Sequence, residues 1–422
     1  MAADLSVDST TITRYETRDI SGVQKETLLP ATQFLGVDVD KLADGNLSLH
    51  LYGWGRADLA DKSFNSDRAS GRLTYGYLQY RLKETNADIR AGRFFVHEGI
   101  VNEQVDGVSA RSDLPYGFGI SAFGGANVHT KKRANENSDG KGEALYGGRV
   151  NYRYKGMLEL GASGVYETRA PALQNYPSKD RRLAGGDVWF SPFRMVEVMG
   201  HTSFNTTTKE IAEHSYLLNV KPLQNLVLTG EFNDQRERYF RNSWTIFAPS
   251  SPATAPNHSE KSRSVGGMAS YSILKNFDIS ADYKHYTREI GNADRYGANA
   301  KFAFLGNSLR NGIGYHYLRA GQGFDISGYQ GSASFHELRG YSMLDTKTVF
   351  AAVDLIGYFF KEKIYNEKSA WEATASLGYH FTPALAVSGD ISHGRNPQFT
   401  EETKGLLRLT YNMTYIGKGV NK

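Results

Sequence analysis

From Gly45 onward the chain alternates apolar and polar residues with a period of two, and many of the alternating runs extend past ten residues. Leu47, Leu49 and Leu51 oppose Ser48, His50, Tyr52, Trp54, Arg56 and Asp58. Ala144, Tyr146, Gly148, Val150, Tyr152 and Tyr154 oppose Gly147, Arg149, Asn151, Arg153 and Lys155. The division recurs with Leu158 and Leu160 against Glu159, Leu226 and Leu228 against Glu231, and Phe277, Ile279 and Ala281 against Asp278, Asp282 and Lys284. It closes with Ala375 and Leu377 against Glu372, and Leu407 and Leu409 against Arg408. A period of two is that of a strand with unlike faces. Strands of soluble proteins usually stop at about 5 or 6 residues, whereas one crossing a bilayer at a tilt needs about 9 to 11.

Segmenting the pattern gives approximate strands at 46–58, 70–82, 86–96, 104–113, 116–127, 142–155, 157–169, 179–191, 194–206, 209–220, 223–235, 262–273, 275–288, 292–304, 307–319, 327–340, 345–359, 368–381, 383–393 and 403–415. The expected fold is therefore all-β, a transmembrane antiparallel β-barrel of about 20 strands, within a range of 18 to 22. Short connections such as Lys155-Gly156, Lys221-Pro222 and Thr382-Pro383 contrast with polar stretches at Lys131 to Gly140, Pro171 to Lys179 and Gln235 to Lys261. Such asymmetry separates the two rims of an outer-membrane barrel. Residues 1–44 lack sustained alternation and are expected to precede the barrel, tucked into the lumen or at its periplasmic mouth, leaving 45–422 as the barrel domain.

Composition agrees. Gly (44), Tyr (26) and Phe (22) are abundant and Pro (11) is scarce, usage that suits pleated, half-buried surfaces with tight turns. No apolar run reaches the length of a transmembrane helix, which leaves strands as the only way across a bilayer. The N-terminus lacks a basic region followed by an apolar stretch, so an exported chain beginning Met1-Ala2-Ala3-Asp4 is expected to be a mature form. The net charge of +4 offers no field for nucleic acid.

The alternation assigns faces. Leu49, Leu228, Ile279, Leu377 and Leu409 are expected to face lipid, and Tyr residues near strand ends to form interfacial girdles. His50, Arg56, Arg149, Arg153, Glu159, Glu231, Asp278, Asp282, Lys284, Glu372 and Arg408 are expected to face the lumen, with Lys155, Glu167 and Asp390 beside them. Both signs are present, which predicts mutual pairing and argues against a strongly ion-selective passage.

No cluster demands chemistry. With no Cys the chain can hold neither thiolate-bound metal nor covalently attached haem, and its His residues form no His-Glu-x-x-His. Asp38, Asp40 and Asp44 beside Gly45 fall short of a calcium loop, and Gly107-Val108-Ser109-Ala110-Arg111 lacks the second Gly and the strand-to-helix setting of a nucleophile elbow. The expectation is a protein without catalytic residues, metal or cofactor of its own.

About 20 strands imply a lumen on the order of 40 Å across at the backbone, and only Gln235 to Lys261 reads as long enough to narrow it. The stretch Asn46–Asp58, preceded by Phe34–Asp40 and followed by Gly92-Arg93-Phe94-Phe95-Val96 and Val105-Asp106-Gly107, resembles outer-membrane channel proteins of Geobacter-like metal-respiring bacteria. Some barrels of that group sheathe cytochromes in porin-cytochrome conduits. The resemblance implies a multihaem c-type cytochrome as partner, carrying all the haem and passing electrons across the outer membrane. The alternative is a general diffusion or oligosaccharide porin.

Overall fold

In a computed structural model, residues 3–20, 26–60, 69–128, 143–168, 176–236, 261–289, 291–323, 331–332 and 334–416 are described. Within them 22 long strands form one closed antiparallel barrel, each pairing with its neighbours in sequence. Closure joins the first strand, Asp4–Ile20, to the last, Phe399–Tyr415, in a ladder that runs from Leu5 opposite Tyr415 to Ile20 opposite Phe399. A short piece, Glu26–Leu28, extends the pairing of the first strand. Strands about 4.8 Å apart and tilted about 40° close on a backbone diameter on the order of 44 Å.

The N-terminal expectation is corrected here. Asp4–Ile20 and Pro30–Leu42 are wall strands, paired with each other and, on their other sides, with Phe399–Tyr415 and Leu47–Asp58. They account for the difference between 20 expected strands and 22. Their alternation is hard to read because the apolar face of the first strand carries Ser9, Thr11 and Thr13 between Val7 and Tyr15. These three side chains oppose Tyr411, Leu409 and Leu407. Thr is β-branched and serves a strand as well as Val, but it does not register as apolar.

Directly opposed residues share a face, so the registers sort every strand. On one face Leu49 lies between Val39 and Leu78, Leu228 between Val220 and Ala269, and Ile279 between Tyr271 and Ala300. Leu377 lies between Ala351 and Gly389, and Leu409 between Thr11 and Val387. Many large apolar side chains of this face are exposed, as a wall bathed in lipid requires. Aromatic side chains edge the band, with Phe304, Tyr379, Phe381 and Tyr415 towards one rim and Tyr146, Tyr283, Tyr296 and Trp371 towards the other. The opposite face, lining the lumen, holds the charged residues.

The rim bearing both chain ends has only tight connections, two to four residues each, including Ala43–Asn46, Leu114–Gly117 and Leu305–Ser308. Five of them use non-glycine residues at positive φ: Asp44 (61°), Asn86 (45°), Tyr116 (65°), Lys155 (46°) and Leu305 (50°) stand one in each. Connections at the opposite rim range from the two residues Gly99-Ile100 to the stretch between Gln235 and Ser262. Lys131 to Gly140 and most of Pro171 to Lys179 and Gln235 to Lys261 lie outside the described residues.

Candidate functional site: a hairpin folded into the lumen

The two strands Ala87–Glu98 and Val101–Asp113 form a hairpin whose outer part leaves the wall. Pairing of Ala87–Glu98 with Ala69–Leu82 ends at Arg93 opposite Gly76, and pairing of Val101–Asp113 with Phe118–Asn127 ends at Val105 opposite Asn127. The hairpin's own ladder continues beyond both, to Glu98 opposite Val101. Residues Phe94 to Val105 are thus a tongue that, short of the Val105–Asn127 pair at its root, has no ladder partner but itself. Its tip reaches the inner wall three and four strands beyond Val101–Asp113: the Ile100 amide donates to Ser163 Oγ (3.2 Å), and a Cβ at Gly185 would lie 2.7 Å from Ile100 Cγ2. Gly185 is the residue that lets the tip lie this close.

Apolar burial holds the tongue down. Phe94, Val96, Val101 and Val105 pack with Phe123, Leu145 and Val165 of the wall into the larger buried cluster, with Tyr77, Ile100 and Leu183 at its edge. Each such side chain contributes roughly 1.5–3 kcal/mol when fully buried. Polar bonds fix the rim side: Arg181 bonds Glu103 of the tongue (3.1 Å) and Glu167 of the wall (2.8 Å), and Glu167 also accepts from Asn127 (2.6 Å). At the root, Arg93 bonds both oxygens of Asp106 (2.7 and 2.6 Å) and the Leu73 carbonyl (2.9 Å). Gln104 bonds the Thr74 carbonyl, and its own carbonyl accepts the Val128 amide (3.0 Å). The tongue's other face carries the exposed Phe95, its ring stacked 6.0 Å from that of His97.

Below the tongue the predicted lumen residues assemble into a chain of ion pairs. Arg149 bonds Asp187 (3.0 and 2.5 Å) and Glu159 (2.9 Å), while Arg153 bonds Glu159 (3.1 Å) and Asp113 (3.2 Å). Gly161 makes room for it, since a Cβ there would lie 2.5 Å from Arg149 Nε. Further round, His50 meets Asp38 (2.6 Å) and Ser48 (2.9 Å), Glu231 meets Lys284 (2.5 Å), and Asp282 meets Arg295 (2.9 Å). Asp278 accepts from Ser272 (2.5 Å), and Glu372 accepts from Lys404 (3.2 Å). Arg56 stands between Thr32 and Ser70, Arg408 between Ile12 and Ser388, and Asp390 between Ser376 and Leu406, all on the lumenal face. Lys155 is a correction: it sits in the tight turn at positive φ (46°), its ammonium 5.1 Å from the Tyr154 ring centroid.

Neither weak motif has the setting its chemistry requires. Ser109 stands mid-strand between Arg90 and Phe123, with no helix after it. Asp38 and Asp40 lie on the lumenal face and Asp44 in the turn; among the described residues no three His, Asp or Glu are grouped to hold a metal ion.

Sequence reasoning missed the tongue, although it left a signal. Along Ala87–Glu98 the lumen-side set changes from Asp88 and Arg90 to Phe94 and Val96, while the lipid-side set changes from Ile89 and Ala91 to Arg93 and His97. That inversion marks where the hairpin turns from lipid to wall. The stretches Gly92–Val96 and Val105–Gly107, which carry part of the family resemblance, form its root.

No protein-family model and no curated protein matches the chain. Solved structures match over nearly its whole length. A ferric enterobactin receptor (PfeA, a mutant form) from Pseudomonas aeruginosa aligns over 96% of this chain and 80% of its own, at 10% identity and a TM-score of 0.57. Pseudomonas aeruginosa OccK1 (OpdK) covers 97% and 99% at 11% identity with a TM-score of 0.47. The P pilus usher (PapC) translocation pore covers 97% and 100% at 10% identity with a TM-score of 0.49.

The cytochrome sheath, and with it an electron-transport role, is corrected by these findings. The fold is one shared with an outer-membrane receptor, and the premise of an unnarrowed lumen fails because a hairpin too short to be read as a constriction loop enters it. This chain is a bacterial outer-membrane β-barrel protein.

Proposed function

We propose that the protein is a passive channel for small hydrophilic solutes, with no reaction of its own. The observation that carries this reading is the tongue Phe94–Val105, which narrows a lumen otherwise lined by paired charges of both signs. A wall of alternating, mutually neutralised charges stays hydrated without favouring either ion strongly. An infolded segment restricts the passage while the closed barrel keeps its edges paired. Within outer-membrane channels, its affinity is to those of Geobacter-like metal-respiring bacteria, on the strength of Asn46–Asp58 and the root of the tongue.

Purified protein reconstituted in planar bilayers tests the reading. Steady, weakly ion-selective single-channel conductance is expected, together with uptake of small neutral solutes by proteoliposomes. A barrel that inserts correctly, as shown by its β-sheet circular dichroism and protease resistance, yet passes neither ions nor solutes would overturn it.

A further inference from the structure

On the far side of the wall from the tongue is a recess of about 520 Å³ in the lumenal face, spread over Gly291–Phe304, Leu309–Ala320, Phe335–Asp345 and Val349–Ile364. Five strands intervene on the shorter way round between it and Arg181–Phe193, the last strand under the tongue. Gly312 and Gly314 put no side chain of their own into the lumen, which lets the Tyr341 ring lie over Gly312 and the Asn299 amide over Gly314 at the floor of the recess.

The rim is polar and held in place by its own bonds. Arg339 binds Asp354 through two nitrogens (2.6 and 3.1 Å), and Arg295 binds Asp282 (2.9 Å). His316 lies 3.2 Å from Glu337 and 3.6 Å from Asp282. Arg295, Lys301 and Arg339 thus share the recess with Glu337 and Asp354, and Asp282 balances Arg295 from beside it. An ion of either sign would meet as much repulsion as attraction. A neutral solute rich in hydroxyl groups would not, because adjacent hydroxyls can donate to a carboxylate and accept from the guanidinium paired with it. Orientation fixed beforehand by the ion pairs lowers the cost of each such bond.

We propose that this recess is a binding station for neutral polyhydroxylated solutes, sugars of one to a few rings. The inference rests on the channel reading for its access route and names the class of solute that the channel would favour. Arg339, Asp354, Glu337 and Asn299 are the groups assigned to meet the hydroxyls.

Glucose and its short linear oligomers, added to one side of a bilayer holding the channel, provide the test. Polyethylene glycol of matched size controls for volume and gluconate for charge. Saturable current block is expected with the sugars and not with the polymer. In Gly314→Leu, and separately in Arg339→Gln with Asp354→Asn, the half-saturating concentration should rise about tenfold or more while open-channel conductance stays close to that of the parent. Sugar block unchanged in both variants, or gluconate blocking better than glucose, would overturn the assignment. Conducting channels that no sugar blocks would sink the recess and leave the channel reading standing. If the protein does not conduct, the channel reading fails, and calorimetry of glucose oligomers with the detergent-solubilised protein decides the recess. Binding that Gly314→Leu abolishes supports it, and no binding overturns it.

Discussion

Releasing the tongue should widen the channel, and Val101→Asp is the change best placed to release it. Val101 is 4% exposed within the apolar cluster. Losing its burial removes roughly 1.5–3 kcal/mol. A carboxylate left in its place would cost several kcal/mol to desolvate if the tongue stayed down. The infolded arrangement should therefore lose on the order of 5 kcal/mol, which at about 1.4 kcal/mol per decade is some three orders of magnitude in population. Against this stands a gross gain from burying Ile100, Val96 and Val101, reduced by the ordering entropy of the tip to a net hold of a few kcal/mol. The balance should invert, and the wall should survive, because the ladders up to Arg93 and from Val105 onward do not involve Val101. Single-channel recording should show a larger conductance than the parent, with unchanged urea unfolding of the barrel. A disulfide between Ile100→Cys and Ser163→Cys reports the tongue's position in a chain that has no other cysteine. Closure of that bond in the Val101→Asp background as fast as in the parent, with conductance unaltered, would refute the packing argument.

Three further outcomes follow from the registers and ion pairs. Leu377→Arg, on the lipid face, should cost about 2–4 kcal/mol of folding stability in vesicles if it lies near mid-membrane, whereas Ser376→Arg on the lumenal face should cost under about 1 kcal/mol; equilibrium urea titration of the two compares them. Arg149→Met strands Asp187 and takes one of two cations from Glu159 around a side chain only 11% exposed and should cost about 2–4 kcal/mol, while Arg339→Met, 54% exposed, should cost under about 1 kcal/mol by the same titration. Deleting residues 1–28 removes the strand that joins the barrel's ends and should leave two open edges, read as loss of the heat-modifiable folded band on gels; a folded, protease-resistant product would show that closure does not need Asp4–Ile20.

The wall was legible where lipid imposed the contrast. In Leu47–Asp58, Phe277–Arg288 and Glu367–Thr382 one set of residues meets hydrocarbon and the other meets water, so a period of two follows from solvent alone. Asp4–Ile20 escaped because Ser9, Thr11 and Thr13 occupy the lipid-side positions, where Gln33 of the next strand bonds both Ser9 (2.9 Å) and Thr11 (2.5 Å). Polar side chains that satisfy one another can face lipid at a reduced cost, and a reading that counts only apolar residues passes over them.

The tongue was illegible for a different reason. A constriction is expected of long loops, because a segment that leaves the wall as irregular chain needs length to reach the lumen. Here a tight two-residue turn, Gly99-Ile100, tips a self-paired hairpin. Such a hairpin needs no loop length, because its backbone polar groups are already bonded to one another along most of its extent. It needs an apolar landing surface, and the wall supplies one at Phe123, Leu145, Val165 and Leu183, lumen-side positions that a water-filled barrel would give to polar residues. Each of these four looks like an isolated lapse in the alternation of its own strand. Taken across neighbouring registers they form one patch, and that patch together with the inverted faces of Phe94–Val96 specifies the fold of the hairpin. The information was thus in the sequence, but divided among strands whose adjacency only the ladder reveals.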